Sequence, residues 1–211
     1  MPALVRMNYD GRDTQARQAC AAVLLLTALA SFAISILVYA FSFALAEILA
    51  PGFFGAKRLL LAQVVAIIAP ACTFTSLSLV FGAWLNSKRY FFAPALAPVF
   101  IPLFVAADIA WFGLASTPVS IAKATLLGAF TELMYMAGCA LLKGFKLRPR
   151  LAGISSELNL VGREFLWLAA GNLVFTCLPI LENILASGLT TGSNAMLSLS
   201  TKLTAIVNML G

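Results

Sequence analysis

An all-α, polytopic bundle of about six transmembrane helices is the fold class this sequence predicts, and three observations predict it. Hydrophobic residues make up 62% of the 211 positions and charged residues only 10%, with a mean hydropathy of +0.98. Soluble domains carry about a quarter charged residues, so this chain lacks the polar skin that keeps a globule in water. Its apolar residues gather in stretches long enough to cross a bilayer core, which takes about 20 residues of helix. Its basic residues fall in alternate connections between those stretches, as cytoplasmic loops of membrane proteins do.

The first apolar segment runs from Gln18 to Ala50, long enough to tilt or to project beyond the bilayer. The second covers Leu59 to Leu85, the third Phe91 to Leu114 and the fourth Ile121 to Leu142. A fifth runs from Phe165 to Gly188 and a sixth from Ala195 to Gly211. The polar, partly acidic opening MPALVRMNYDGRDTQAR does not read as the n-region of a secretory signal. Pro70, Pro94, Pro98, Pro102 and Pro179 fall within or at the start of these segments. In lipid such breaks persist where neighbouring helices or a wet cavity satisfy the freed carbonyls.

The connections set the orientation. Arg6, Arg12 and Arg17 precede the first span, Lys88 and Arg89 join the second to the third, and Lys143, Lys146, Arg148, Arg150 and Arg163 flank the fourth-to-fifth connection. These connections share one face, which thereby carries ten of the 14 basic residues. Lys57, Arg58 and Lys123 lie toward the other face. The positive-inside rule makes the N-terminus and the Lys88 and Lys146 loops cytoplasmic. The organisation that follows is a cytoplasmic tail (1–17), a four-helix transmembrane part (18–143), a basic connection (144–163) and two further transmembrane helices (164–211). In the connection, Leu147, Leu151, Ile154, Leu158 and Leu160 suit either a short interfacial helix or a plain linker.

Composition also narrows function. The formal charge of +6 is accounted for by the loops, so it points to no nucleic acid. The absence of histidine removes His-activated nucleophiles and His metal sites. Cys20, Cys72, Cys139 and Cys177 each sit in a different apolar stretch, which reads as buried, inert thiols. No catalytic constellation, metal site or cofactor motif is present, and no P-loop, so any energy input is ionic or electrical.

Ionisable groups within spans are costly unless they face protein or water, which makes them informative. Glu47, before the Ala50-Pro51-Gly52 break, belongs at the outer interface. Asp108, about midway along the third span, and Glu132, midway along the fourth, read equally as structural clamps or as ion-coupling groups, one of which Lys123 could answer. Glu182 and Lys202 are the stronger pair. The loop between the last two spans is short, so these helices are antiparallel neighbours; at 1.5 Å per residue the two depths differ by about 6 Å. Lys202 lies among Ser198, Ser200, Thr201 and Thr204, a setting that suits anion binding, although a neutral clamp with Glu182 is the competing reading.

The residues themselves carry a family resemblance. Ala50-Pro51-Gly52-Phe53, Pro70 and the run from Leu77 to Val99 (LSLVFGAWLNSKRYFFAPALAPV) resemble the MurJ/MviN family of lipid II flippases. The elements are Leu85-Asn86-Ser87, the basic turn Lys88-Arg89, the aromatics Phe91 and Phe92, then Pro94-Ala95 and Ala97-Pro98. Leu147-Arg148-Pro149-Arg150 and the run Glu182 to Ser187 (ENILAS) with Gly192-Ser193 are similar to later parts of the family pattern. The resemblance implies family helices three to eight of roughly fourteen, hence a partial version of a two-bundle flippase fold, with the missing helices supplied by a longer protein.

It further implies passage of a polyprenyl-diphosphate-linked glycan, such as the peptidoglycan precursor lipid II, across the inner membrane by alternating access. Lys202 falls where the family carries a cation for the lipid diphosphate, and Glu182 where many members carry aspartate; with Asn183, Ser200 and Thr201 these form the implied substrate site. Asp108 and Glu132 remain as ion-coupling candidates. Pro102 and Trp167 depart from the pattern, where asparagine and proline are common, and leave a related polyprenyl-linked glycan open. Beside this reading stand a proton- or sodium-coupled drug antiporter and a non-transporting membrane scaffold; none of the three is an enzyme, and membrane lipids are partners in all.

Overall fold

The computed structural model describes residues 13–145 and Ile184. The fifth and sixth predicted spans, the N-terminal tail up to Arg12 and the basic connection beyond Phe145 lie outside the described residues. All regular structure among the described residues is helical. They belong to two compact units, with residues 13–40 and 63–145 in the first and Phe41–Ala62 in the second.

In chain order the helices are α1 (Asp13–Ala40), α2 (Ser42–Leu49), α3 (Ala56–Ser87), α4 (Phe92–Leu96), α5 (Phe100–Phe112) and α6 (Pro118–Leu142). A 3-10 turn, Ala97–Val99, joins α4 to α5. Four stretches are long and apolar enough to cross a membrane: Cys20–Ala40, Ala56–Ser87, Phe92–Phe112 and Pro118–Leu142. They match the first four predicted segments. These helices are apolar around their circumference, which is the pattern of a helix surrounded by lipid or protein rather than of an amphipathic surface helix. Their outward side chains are correspondingly large and greasy: Leu79 is 73% exposed and Trp111 is 85% exposed.

The first predicted segment is not one helix. The chain breaks at Phe41, and α2 begins at Ser42. Length supplies the reason: α1 alone has 28 residues, about 42 Å at 1.5 Å per residue, against a hydrocarbon core of about 30 Å. An unbroken helix to Ala50 would exceed that core by about 15 Å more. The prolines have unequal effects. Pro70 sits within the continuous α3, whereas Pro98 lies in the 3-10 turn that separates α4 from α5. One thiol also departs from expectation. Cys20 is buried and Cys139 half-buried, but Cys72 is exposed on the apolar flank of α3.

The core of the first unit gathers Cys20, Ala21 and Leu24 of α1, Phe81, Trp84 and Leu85 of α3, Leu133, Met136 and Ala140 of α6, and Phe145 beyond it. Small residues on α1 and α6 let the helices approach, as membrane bundles require when no hydrophobic force drives helices together. Gly128 is the closest approach. A Cβ there would lie 2.8 Å from the Ile101 Cα and 3.2 Å from the Phe100 carbonyl oxygen, so only hydrogen fits between α5 and α6.

The second unit contributes α2 and the turn after it. Arg58 donates to the Phe53 carbonyl at 3.0 Å and to Glu47 Oε1 at 3.2 Å, and its guanidinium lies over the Phe54 ring. Glu47 is more than half exposed.

Candidate functional site

Glu132 lies in the middle of α6 and is 9% exposed. Its Oε1 accepts a hydrogen bond from the Ser78 hydroxyl of α3 at 2.8 Å. Ser78 is itself buried at 2% exposure, so the contact ties two spans together in the protein interior. Sequence reading identified the carboxylate and missed its partner. The signal was the hydroxyl-rich run Thr73, Thr75, Ser76 and Ser78, of which Thr75 and Ser76 bond back to their own helix at Ala71 and Cys72 while Ser78 reaches across to another.

Asp108 is not midway along its span. It stands four residues before Phe112, where α5 ends. Its Oδ2 accepts from the Ser120 hydroxyl at 2.9 Å, a proton that Ser120 shares with the Thr117 carbonyl, also at 2.9 Å. Thr117 and Ser120 form a capping box at the start of α6: the Ser120 N–H donates to Thr117 Oγ1 and the Thr117 N–H to Ser120 Oγ, each at 3.1 Å. Pro118 occupies the first helical turn, where its missing N–H costs nothing. The Asp108 carboxylate therefore sits beside the positive end of the α6 dipole. Lys123 answers neither acid: it is exposed, and among the described residues the one ion pair is Arg58–Glu47. Asp108 and Glu132 are not brought together with each other, since each holds its own hydroxyl partner. Those residues also include no group of histidine, cysteine and carboxylate side chains able to hold a metal ion.

The Leu85–Pro98 run forms a compact turn between spans. Leu85, Asn86 and Ser87 end α3, Lys88 and Arg89 make the reversal, Pro94-Ala95 lie in α4 and Ala97-Pro98 in the 3-10 turn. Lys88 lies over the Trp84 ring, 5.3 Å from its centroid. The remaining predicted site residues, Glu182, Asn183, Ser200, Thr201 and Lys202, lie outside the described residues.

A family model, that of the lipid II flippase MurJ, matches residues 1–209. The chain belongs to the MurJ lipid II flippase family. No curated protein matches it. Membership makes the chain part of a transporter and not an enzyme, and with its four long apolar helices it is an integral membrane protein of a family that handles a lipid-linked substrate. The spans described above are accordingly MurJ-family helices.

Proposed function

We propose that this chain serves the translocation of a polyprenyl-diphosphate-linked glycan, lipid II or a close relative, across the inner membrane by alternating access. The observation that carries the proposal is the family match over residues 1–209. In this reading the N-terminus and the Lys88 and Lys146 loops are cytoplasmic, on the asymmetry of basic residues. The helices through Lys143 are scaffold, and the segments from 164 onward line the substrate path.

Lys202 supplies the charge for the diphosphate, Ser200, Thr201 and Asn183 supply hydrogen bonds, and Glu182 lies close enough in depth to balance Lys202 when substrate is absent. Asp108 and Glu132 belong to the scaffold. Their partners are hydroxyls of neighbouring helices, Ser120 and Ser78, which supports holding helices in register over moving an ion.

The test uses the complete protein in vesicles, following a labelled polyprenyl-diphosphate glycan beside a cationic dye. Glycan flux is expected. Lys202→Arg should retain it, because the guanidinium fork suits phosphate at least as well. Lys202→Met, which keeps the stem and removes the charge, should abolish it without lowering abundance. Dye flux with no glycan flux would overturn the proposal in favour of an antiporter. If Lys202→Met lowers abundance and neutralising Glu182 as well restores both abundance and activity, Lys202 is a clamp and not a diphosphate ligand.

A further inference from the structure

The ends of α3 and α6 lie together in the first unit and close in the same cap. At α3 the Arg89 N–H donates to the Asn86 carbonyl and the Tyr90 N–H to the Leu85 carbonyl, both at 3.0 Å. At α6 the Gly144 N–H donates to Leu141 and the Phe145 N–H to Ala140, again at 3.0 Å. This pair of bonds requires a left-handed residue just past the helix, a position that glycine usually fills. Gly144 fills it at φ 82°, but at the other helix Arg89 takes it at φ 62°. Among the described residues Arg89 is the one non-glycine residue with positive φ. A bulky L-residue is strained in that conformation. The cap explains the backbone conformation. It does not explain the arginine.

The side chain has a pocket to serve. A cavity of about 470 Å³ opens between these two helix ends, lined by Arg89, Tyr90, Phe91, Phe92, Tyr135 and Lys143 among others. Lys143 Nζ lies 4.0 Å from the centroid of the Tyr90 ring, which holds a second cation at the same cavity. Neither Arg89 nor Lys143 has a carboxylate partner among the described residues. Two like charges beside one cavity repel unless an anion joins them. The walls are apolar and open outward, with Phe91 62% and Phe92 77% exposed, so the anion they fit carries hydrocarbon. Aromatic and basic residues at a span boundary belong at the headgroup level, where anionic lipid attracts cations.

We infer that this cavity binds the phosphate of an anionic glycerophospholipid, with Arg89 and Lys143 on the phosphate and Phe91 and Phe92 against the glycerol and acyl chains. The lipid anchors the turn between α3 and α4 to its leaflet. Size separates this ligand from the transported one: the volume is toward the low end for small-molecule sites, which suits a phosphoglycerol head and not a glycan-bearing diphosphate. The inference is independent of which glycan is carried.

The experiment measures binding of phosphatidylglycerol and phosphatidylcholine to the purified full chain by native mass spectrometry. It is paired with cross-linking from benzoylphenylalanine placed at Phe92 in vesicles holding equal amounts of the two lipids. Phosphatidylglycerol should be retained and should dominate the cross-links. Arg89→Gln with Lys143→Gln should weaken retention about tenfold or more, and Arg89→Lys with Lys143→Arg should keep it. Arg89→Gly is the discriminating variant. It relaxes the cap, so thermal stability should hold or rise while phosphatidylglycerol retention falls. Unchanged retention in Arg89→Gly and in the double glutamine variant would overturn the inference. So would cross-links in proportion to bulk lipid, or stoichiometric displacement of phosphatidylglycerol by a polyprenyl diphosphate, which would give the cavity to the cargo.

Discussion

Removing the hydroxyl at Ser78 tests whether Glu132 is a structural clamp. Ser78→Ala takes away the 2.8 Å donor and leaves a carboxyl that is 9% exposed with no replacement among the described side chains. Interhelical hydrogen bonds in membrane proteins average about 0.6 kcal/mol and reach about 1.7, and a carboxyl acceptor in a buried site belongs at the upper end. The expected loss is therefore about 1–2 kcal/mol. Glu132→Gln keeps a carbonyl oxygen for Ser78 and should cost clearly less, whereas Glu132→Leu removes the acceptor. In the cycle with Ser78→Ala and Glu132→Leu the combined cost should fall short of the sum by about 1 kcal/mol, because the second change has no bond left to break. The assay is reversible unfolding of the chain in mixed micelles with increasing denaturing detergent. Additive single changes, within about 0.5 kcal/mol, would show that the pair does not hold α3 to α6. A Glu132→Gln variant that unfolds normally yet stops flux in the complete protein would move Glu132 from scaffold to ion coupling.

Two further outcomes are expected of the scaffold. Gly128→Ala drives a methyl to 2.8 Å from the Ile101 Cα; backbone on both sides cannot rotate away, so a loss of about 1–3 kcal/mol should appear in the same unfolding assay, and an unchanged midpoint would refute the close approach of α5 to α6. Ser120→Ala breaks both the capping box and the Asp108 contact and should cost about 1 kcal/mol, with Asp108→Asn milder because an amide oxygen still accepts from Ser120; equal losses from the two would place the stabilisation in the carboxylate charge and not in the cap.

The four described spans were legible because burial in lipid demands one property, uninterrupted apolarity over a fixed length, and composition shows that directly. The Lys88-Arg89 turn was legible as the end of the second span, whereas the third and fourth, read as ending at Leu114 and beginning at Ile121, have their helix boundaries at Phe112 and Pro118. The break at Phe41 was not legible, since neither proline nor glycine stands at Ala40, Phe41 or Ser42 and the apolar pattern continues through it. Burial of Cys72 was also misread, because within a span an apolar neighbourhood in sequence does not distinguish a lipid-facing flank from a protein-facing one. For the candidate site, the sequence showed which residues are expensive and not which groups offset them. Asp108 was misplaced on spacing alone: it is 17 residues beyond Phe91 and only six before Leu114, so it belonged near the end of the third segment, where the helix ending at Phe112 puts it.

The choice of partners for those acids has a physical logic that bears on Lys202. A carboxylate inside a bilayer can be offset by a cation or by a neutral hydroxyl, but the cation must itself be inserted, at a cost similar to the acid's own. A serine hydroxyl inserts cheaply and can fall back on its own helix, as Ser76 does, whenever its distant partner is lost. Glu132 and Asp108 both take the hydroxyl solution, and the one ion pair among the described residues, Arg58–Glu47, is at least partly exposed on both sides. Among the described residues, then, the acids within spans are met by hydroxyls and not by cations. A lysine set deep in the last apolar segment departs from that economy. Under the proposed function that departure is accounted for by the diphosphate, since a hydroxyl such as that of Ser78 or Ser120 would serve to hold two helices together without charge.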